Sequence, residues 1–404
     1  MSAAPGTLFS RDYFQNQLAT LSSLRPLGPV HPAVLPNKVA VWVVTDHDDA
    51  KIALTDSRVR KAAEPLREVM LRKLEEGGGH GELSAFFANN MLVMDPPDHT
   101  RLRKLLARDF TRGRMEELRP RVEQIAAELL DRMPTNESVD LIEQYAFQLP
   151  MMVICELLGV PEEYRGPMRD WSQAMMGEAS QAEGVAAGKK MTALFTELVQ
   201  RKRSEPGDDL LSALVRASDD DDRLNEAEVL STAILIVVAG HETTVNLIGS
   251  SAELLLRDHA TRRRLVDDPT LMPQAVEELL RLTSPLTIAT VRFTDQPITF
   301  GDVTVPAGEI LLVSLSGANR DPARFDRPDE FELGRGVGHL AFGHGIHHCI
   351  GAPLARIEGE IALRQLLARF PGYARAVPAE HLRHRKSYMV SSGFQTLPVI
   401  LDPA

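Results

Sequence analysis

The sequence predicts a mainly α protein with small β-sheets, an α+β chain folded as one domain. Three observations predict it. Apolar residues recur with helical spacing through long segments at 98–110, 115–133, 138–158, 186–203, 226–257 and 271–282. β-branched runs are few and short, confined to 39–45 and the interval 288–315. Composition is uniform, and no Gly/Ser-rich or Pro-rich linker divides the chain, so 1–404 reads as a single domain.

In chain order, VAVWVVT at 39–45 reads as the first strand of a small mixed sheet, and Asp46 caps a helix running through Ala50 and Leu54. Six helical segments then dominate. Strands return at 290–293, 298–300 and 310–315, separated by turn chemistry at Gln296-Pro297 and Pro306-Ala307-Gly308. The stretch 317–351 is irregular and rich in Gly, Pro, Asp and His, a pattern that usually marks function inside a compact domain. A helix follows at 352–370, then a turn and strand in SSGFQTLPVIL at 391–401. The acidic run 219–222 reads as a solvated loop.

A net charge of −11 argues against wholesale nucleic-acid binding, which needs a basic footprint. Two cysteines, Cys155 and Cys349, cannot build a disulfide framework and fit a reducing compartment. The apolar run 234–239 falls far short of the roughly 20 residues of a membrane span, and no export signal opens the chain. The expectation is a cytoplasmic monomer without membrane or nucleic-acid partners.

The sharpest feature is FGHGIHHCIG at 342–351, which sets Cys349 just before a long helix. Helix N-termini favour negative charge, so Cys349 is expected to ionise more readily than a free cysteine and to ligate a metal. Gly343, Gly345 and Gly351 let the backbone approach a bulky partner. An inert buried cysteine and a zinc site of His344, His347, His348 and Cys349 are the competing readings, the latter strained because three consecutive ligands cannot converge easily on one ion.

The helix 230–247 is almost wholly apolar but is interrupted by Ala239-Gly240-His241-Glu242-Thr243-Thr244. Gly240 permits close approach of a neighbouring group. Thr243 has the spacing to bond the Ala239 carbonyl, locally opening the helix into a groove. His99 and Arg103 lie four apart on one helix face and suit a carboxylate. Glu278 and Arg281 read as a helix-surface ion pair worth about 0.3–0.5 kcal/mol. Eight basic residues between Arg101 and Arg121 (Arg101, Arg103, Lys104, Arg108, Arg112, Arg114, Arg119, Arg121) outnumber three acids and form a local positive patch.

FGHGIHHCIG resembles the FGxGxHxCxG haem loop of cytochromes P450 through Phe342, Gly343, Gly345, His347, Cys349 and Gly351. AGHETT at 239–244, the ExxR pair Glu278 and Arg281, and DPPDHTRLR at 95–103 extend the resemblance in the family's order. It implies a helix-rich triangular prism with haem b (iron protoporphyrin IX) between a distal helix carrying Ala239 and Gly240 and the cysteine loop. Cys349 is then the iron ligand, and His99, Arg103, Arg292 and His347 hold the propionates. By the same resemblance Thr243 is the hydroxyl that assists oxygen activation and Glu242 the acid that gates proton delivery. Glu278 and Arg281 brace the loop. The family's third basic residue of a PxRF segment is absent, since 328–331 reads PDEF; Arg327 or Arg335 is left to replace it.

The implied reaction inserts one oxygen atom from O2 into a hydrophobic small molecule, by hydroxylation or epoxidation of a macrolide, other polyketide, peptide or sterol-like natural product. Electrons come from NAD(P)H through an external ferredoxin and ferredoxin reductase, which the basic patch is suited to dock. Leu235, Val238 and Ile288 are expected over the haem, with Leu92 and Ser391 as further pocket positions. Oxidative coupling of aromatic groups without oxygen insertion is the rival reaction, and a non-catalytic haem sensor the rival class.

Overall fold

The computed structural model describes residues 13, 15–78, 90–176, 180–219, 224–336, 338–385 and 392–402. β-branched residues build its main sheet, five strands in the order β1 (Val30–Val34), β2 (Ala40–Val44), β8 (Ile310–Val313), β5 (Arg292–Thr294) and β3 (Val59–Arg60). β2 and β8 pair in parallel and the other neighbours antiparallel, so the sheet is mixed as expected. Alternate residues serve opposite faces. Val41, Val43, Ile310 and Leu312 enter one apolar cluster, while Val44, Leu311 and Val313 enter another. Burial on both faces explains the unbroken apolar run in β8. Two small sheets pair β4 (Ser138–Asp140), β10 (Pro398–Ile400) and β9 (Ala374–Arg375), and β6 (Ile298–Phe300) with β7 (Val303–Val305).

Seven helices position the site: α1 (His47–Thr55), α2 (Asp98–Leu106), α3 (Gln148–Leu157), α4 (Arg165–Met176), α5 (Glu226–Arg257), α6 (Met272–Thr283) and α7 (Ala352–Arg369). α5 begins at a capping box in which Asn225 and Glu228 satisfy each other's backbone amides. It packs on α3, α6 and α7 through the large apolar core. A Cβ at Gly359 of α7 would lie 2.8 Å from Leu247 Cδ2, so the α5–α7 crossing depends on that glycine. Among the described residues α5 alone is long and apolar enough to cross a membrane, yet 78% of its apolar window is buried inside the protein. Its apolarity serves the core.

Five expectations change. The segment 115–133 is not one helix: Arg112–Glu117 and Arg119–Asp131 meet at Leu118, with Pro120 in the first turn of the second. The segment 138–158 is not one helix: β4 pairs with β10, a π-helical turn spans Ile142–Ala146, and only then does α3 begin. Asp140 causes the break, because its Oδ1 accepts from the N–H groups of both Ile142 and Leu397, a partner far along the chain. Asp46 stands at the start of α1 but gives no capping bond; the His47 N–H donates to Asp321 instead, at 2.9 Å. The strand expected at 310–315 ends at Val313, since Ser314 caps a single helical turn by accepting the Gly317 N–H at 3.0 Å. α4 and the helices Leu210–Asp219 and His259–Asp267 were not predicted.

Candidate active site

Glycines shape the cysteine loop. Gly343 (φ 69°) and Gly345 (φ 72°) are left-handed, and a Cβ at Gly345 would lie 2.9 Å from both Leu54 O and Thr55 Cγ2. The end of α1 thus abuts the loop where only glycine fits. The Cys349 N–H donates to Phe342 O at 2.9 Å and closes the turn. Arg356 lies over the Phe342 ring, 4.6 Å from its centroid, and its guanidinium donates to Glu277 on α6 at 2.6 and 2.9 Å. Burial pushes the Glu277 carboxyl up, but the His339 and Arg356 donors outweigh it and take the pKa to about 2.

Cys349 carries accessible surface although it is deeply set in the protein, as a thiol lining an open cleft would be. Burial lifts the thiol above its ordinary range, opposed by the Gly351 and Ala352 amides and by Arg103 and Arg356. The expected ease of ionisation is therefore corrected for the protein alone: the helix-end donors are present, but desolvation outweighs them. A metal cation at the sulfur is what favours the thiolate in such a setting.

Opposite the loop, the expected interruption of α5 is one of exposure and not of backbone. The helix runs unbroken from Glu226 to Arg257, although Thr243 Oγ1 donates to Ala239 O at 2.9 Å and Thr244 Oγ1 to Gly240 O at 3.2 Å. Ala239 is exposed and Thr243 half-buried, while Glu242 is buried. Gly240 has another reason to be small: a Cβ there would lie 2.9 Å from Ile154 Cδ1, so its close approach is to α3. Leu235 and Val238 are buried but stand outside every apolar cluster. Leu235, Ala239 and Thr243, four apart, form one stripe. At the α5–α7 crossing Thr244 meets Glu358 at 3.4 Å. N-terminal to that crossing Ala239, Thr243 and Cys349 all carry accessible area, so the two elements no longer cover each other there.

The remaining pocket expectations divide. Leu92 is half-buried in the turn Met91–Val93, its N–H donating to Asn90 Oδ1 at 2.9 Å. Ile288 is corrected: only 2% exposed, it packs with the sheet residues Val43 and Leu312. Ser391 lies outside the described residues.

At the edge of the cleft, cations converge. The rings of His99 and His347 stand 4.2 Å apart, with Arg292 buried beside them and donating to Thr290 O at 2.6 Å. Burial and the surrounding cations lower the His347 pKa to about 2, and burial lowers that of Arg292 to about 10. Arg103 donates to His348 O at 2.6 Å, next to Cys349, so one of its donors is shared with the cysteine loop. Sequence patterns do not mark Lys61, yet it is 1% exposed and electrostatically coupled to His99, His347 and Arg292. The β3–β5 pairing brings it there, with Arg60 opposite Phe293.

The Glu278–Arg281 pair is buried, 4% and 1% exposed, and not on the surface. Arg335 supplies the missing third member, its Nε donating to Glu278 Oε1 at 3.0 Å, while Arg327 pairs with Glu330 and Glu332. The basic patch is smaller than the sequence suggests. Arg101, Arg119 and Arg121 are held by Glu228, Glu360 and Glu156. Exposed Lys104, Arg108 and Arg112 remain, along with Ile346, 50% exposed in the cysteine loop.

The profile of a family described as Cytochrome P450 matches residues 253–373. The chain is 45% identical to Cytochrome P450 107B1 of Saccharopolyspora erythraea, over 92% of each chain. It belongs to the cytochrome P450 family. It is also 43% identical to 6-deoxyerythronolide B hydroxylase of the same organism, over 95% of each chain. The solved structure of the tirandamycin C-bound P450 monooxygenase TamI superposes with a TM-score of 0.90 at 40% identity, covering 97% of this chain and 99% of that one. The P450 fold and the monooxygenase class follow, and the family implies a haem iron, O2, a small-molecule substrate and redox partners. The residues present fit a haem: an accessible thiol faced by amides and guanidiniums, an accessible Ala239 and Thr243 on α5, and orphaned buried ring nitrogens on His99 and His347.

Glu358 yields a prediction about pH. Its pKa is raised to about 8 by burial, with only Thr244 opposing. The folded state then holds this proton more tightly than the unfolded chain, so the stabilisation is complete below the ordinary value of 4.5 and is lost as pH rises through about 8. Glu358→Gln is expected to flatten the fall in stability between about pH 5 and pH 9, by an amount on the order of a few kcal/mol. Denaturant unfolding across that range measures it; parallel curves for the two proteins would contradict it.

Proposed function

We propose that this P450 inserts one oxygen atom from O2 into a hydrophobic natural product of macrolide or polyketide type, by hydroxylation or epoxidation. The observation that carries this reading is the stripe Leu235–Ala239–Thr243 on α5, apolar except for one hydroxyl and accessible at Ala239 and Thr243, together with the accessible thiol of Cys349. Similarity to 6-deoxyerythronolide B hydroxylase and to the tirandamycin C-bound enzyme supports the substrate class.

Haem held by Cys349 supplies oxygen activation, for which thiolate ligation favours O–O cleavage. The chain's own residues do the rest. Arg292, His99 and His347 bind the cofactor's carboxylates. Leu235 and Val238 offer the substrate an apolar wall and exclude water. Thr243 donates its hydroxyl hydrogen to Ala239 O, which leaves its oxygen lone pairs free to accept a hydrogen bond and so to hold a water or a protonated oxygen for proton delivery. Glu242, one residue earlier on α5, gates the supply of protons. Electrons arrive from NAD(P)H through a ferredoxin and its reductase, docked on Lys104, Arg108, Arg112 and the exposed Ile346 by charge complementarity.

Turnover under labelled O2 tests the reading. One labelled atom is expected in the product, and an unlabelled product would point to coupling instead. In the same assay Thr243→Ala is expected to consume reductant at a rate near wild type while releasing peroxide, with product per reductant falling roughly tenfold or more, in the range typical of losing a proton-transfer group. Unchanged coupling would remove Thr243 from this role.

A further inference from the structure

We infer that Lys61 binds a carboxylate of the haem, a charge partner outside the motifs that carry the resemblance; the inference rests on the proposed cofactor site and deepens it. Lys61 follows β3 directly, is 1% exposed, and its Nζ finds no hydrogen-bond partner among the described residues. Both ring nitrogens of His99 and Nε2 of His347 are orphaned in the same way. Unpaired buried polar atoms are costly singly, and a group of them around one point marks a site for a ligand of complementary charge.

Asp95 is the acid coupled to Lys61, but it is already engaged. Its carboxylate accepts the Lys61 N–H at 3.1 Å, the Ala62 N–H at 3.0 Å and Arg60 Nε at 3.2 Å. Asp95 therefore fixes the Lys61 backbone and leaves the ammonium unmatched. Charge counting points the same way. Haem carries two carboxylates. Of the guanidiniums at the edge, Arg103 is shared with the cysteine loop through His348 O and the neighbouring thiol. Among the described residues Arg292 is then the one guanidinium at the edge that is not shared with the loop, for two anions, and Lys61 supplies a second cation.

The test compares haem with its dimethyl ester, which has the same ring and iron but no negative carboxylates. Lys61→Met and Lys61→Gln are purified beside the wild type, and transfer of each porphyrin to apomyoglobin is timed. Haem is expected to leave both variants at least about tenfold faster than it leaves wild type, the scale of one charge-assisted hydrogen bond. The ester is expected to leave all three proteins at similar rates. Equal acceleration for both porphyrins, failure of both variants to hold either porphyrin, or no acceleration at all would overturn the inference. If the wild type's reduced, carbon-monoxide-bound band stands at the histidine-ligated position, the cofactor site itself fails, an outcome read independently of the variants.

Discussion

Cys349→Ser is expected to abolish both the long-wavelength band of the reduced, carbon-monoxide-bound protein and measurable turnover. A serine hydroxyl is a far weaker acid than a thiol, and desolvation in the cleft raises its pKa further. The donors arranged around position 349, the Gly351 and Ala352 amides with Arg103 and Arg356, stabilise an anion that serine does not supply. The loop itself should persist, since its closing bond uses the residue-349 backbone N–H and its shape rests on Gly343 and Gly345. Cofactor content is therefore expected to fall less than activity, with the edge cations still holding the carboxylates. A variant that kept the shifted band would show that the ligand is not Cys349.

Arg281→Lys is expected to destabilise the protein by about 2–4 kcal/mol, the scale of leaving buried carbonyls unsatisfied while the charge is kept. The Arg281 guanidinium uses its whole complement of donors: Nε and Nη2 reach Glu278 at 2.8 and 2.7 Å, Nη1 reaches Asn319 O and Pro328 O, and Nη2 also reaches Glu330 O. Its guanidinium also lies 5.0 Å from the Phe325 ring centroid. Lysine has no planar fork and leaves several of these carbonyls unpaired in a dry interior. Chemical denaturation with cofactor occupancy measures the effect. A loss under about 1 kcal/mol, the level of an exposed pair, would return this pair to the surface role that its spacing alone suggests.

That pair shows where sequence reasoning stopped. Glu278 and Arg281 stand one helical turn apart on α6, a spacing equally frequent on exposed helices. Their value comes from a wrapping segment, 319–335, that closes over them with backbone carbonyls and Arg335. The choice between Arg327 and Arg335 was likewise open until the chain's path placed Arg335 at the carboxylate. Glu330, standing where an arginine was looked for, contributes its carbonyl.

Local pattern carried much of the fold. The 226–257 helix is found with both ends as read, because apolar periodicity at helical spacing is a local signal that survives the polar residues at 241–244. The 138–158 segment failed because Asp140 bonds a residue near the other end of the chain, a partner that no window of neighbouring residues contains. Ile288 was misplaced for a similar reason: a buried aliphatic residue gives no sign of whether it faces a pocket or a sheet.

By itself the sequence determined the class of chemistry. Cys349 before a helix, glycines where the backbone must turn left-handed, and Thr243 four residues after Ala239 are properties of adjacent or helically spaced residues, and short-range sterics enforce them. Tertiary structure alone decided how charge is shared. It sent Arg103 to the cysteine loop, spent Gly240 on Ile154, and brought Lys61 from the end of a two-residue strand into the cationic edge. Electrostatic roles depend on burial and on which groups meet across the fold, and the chain's path sets both.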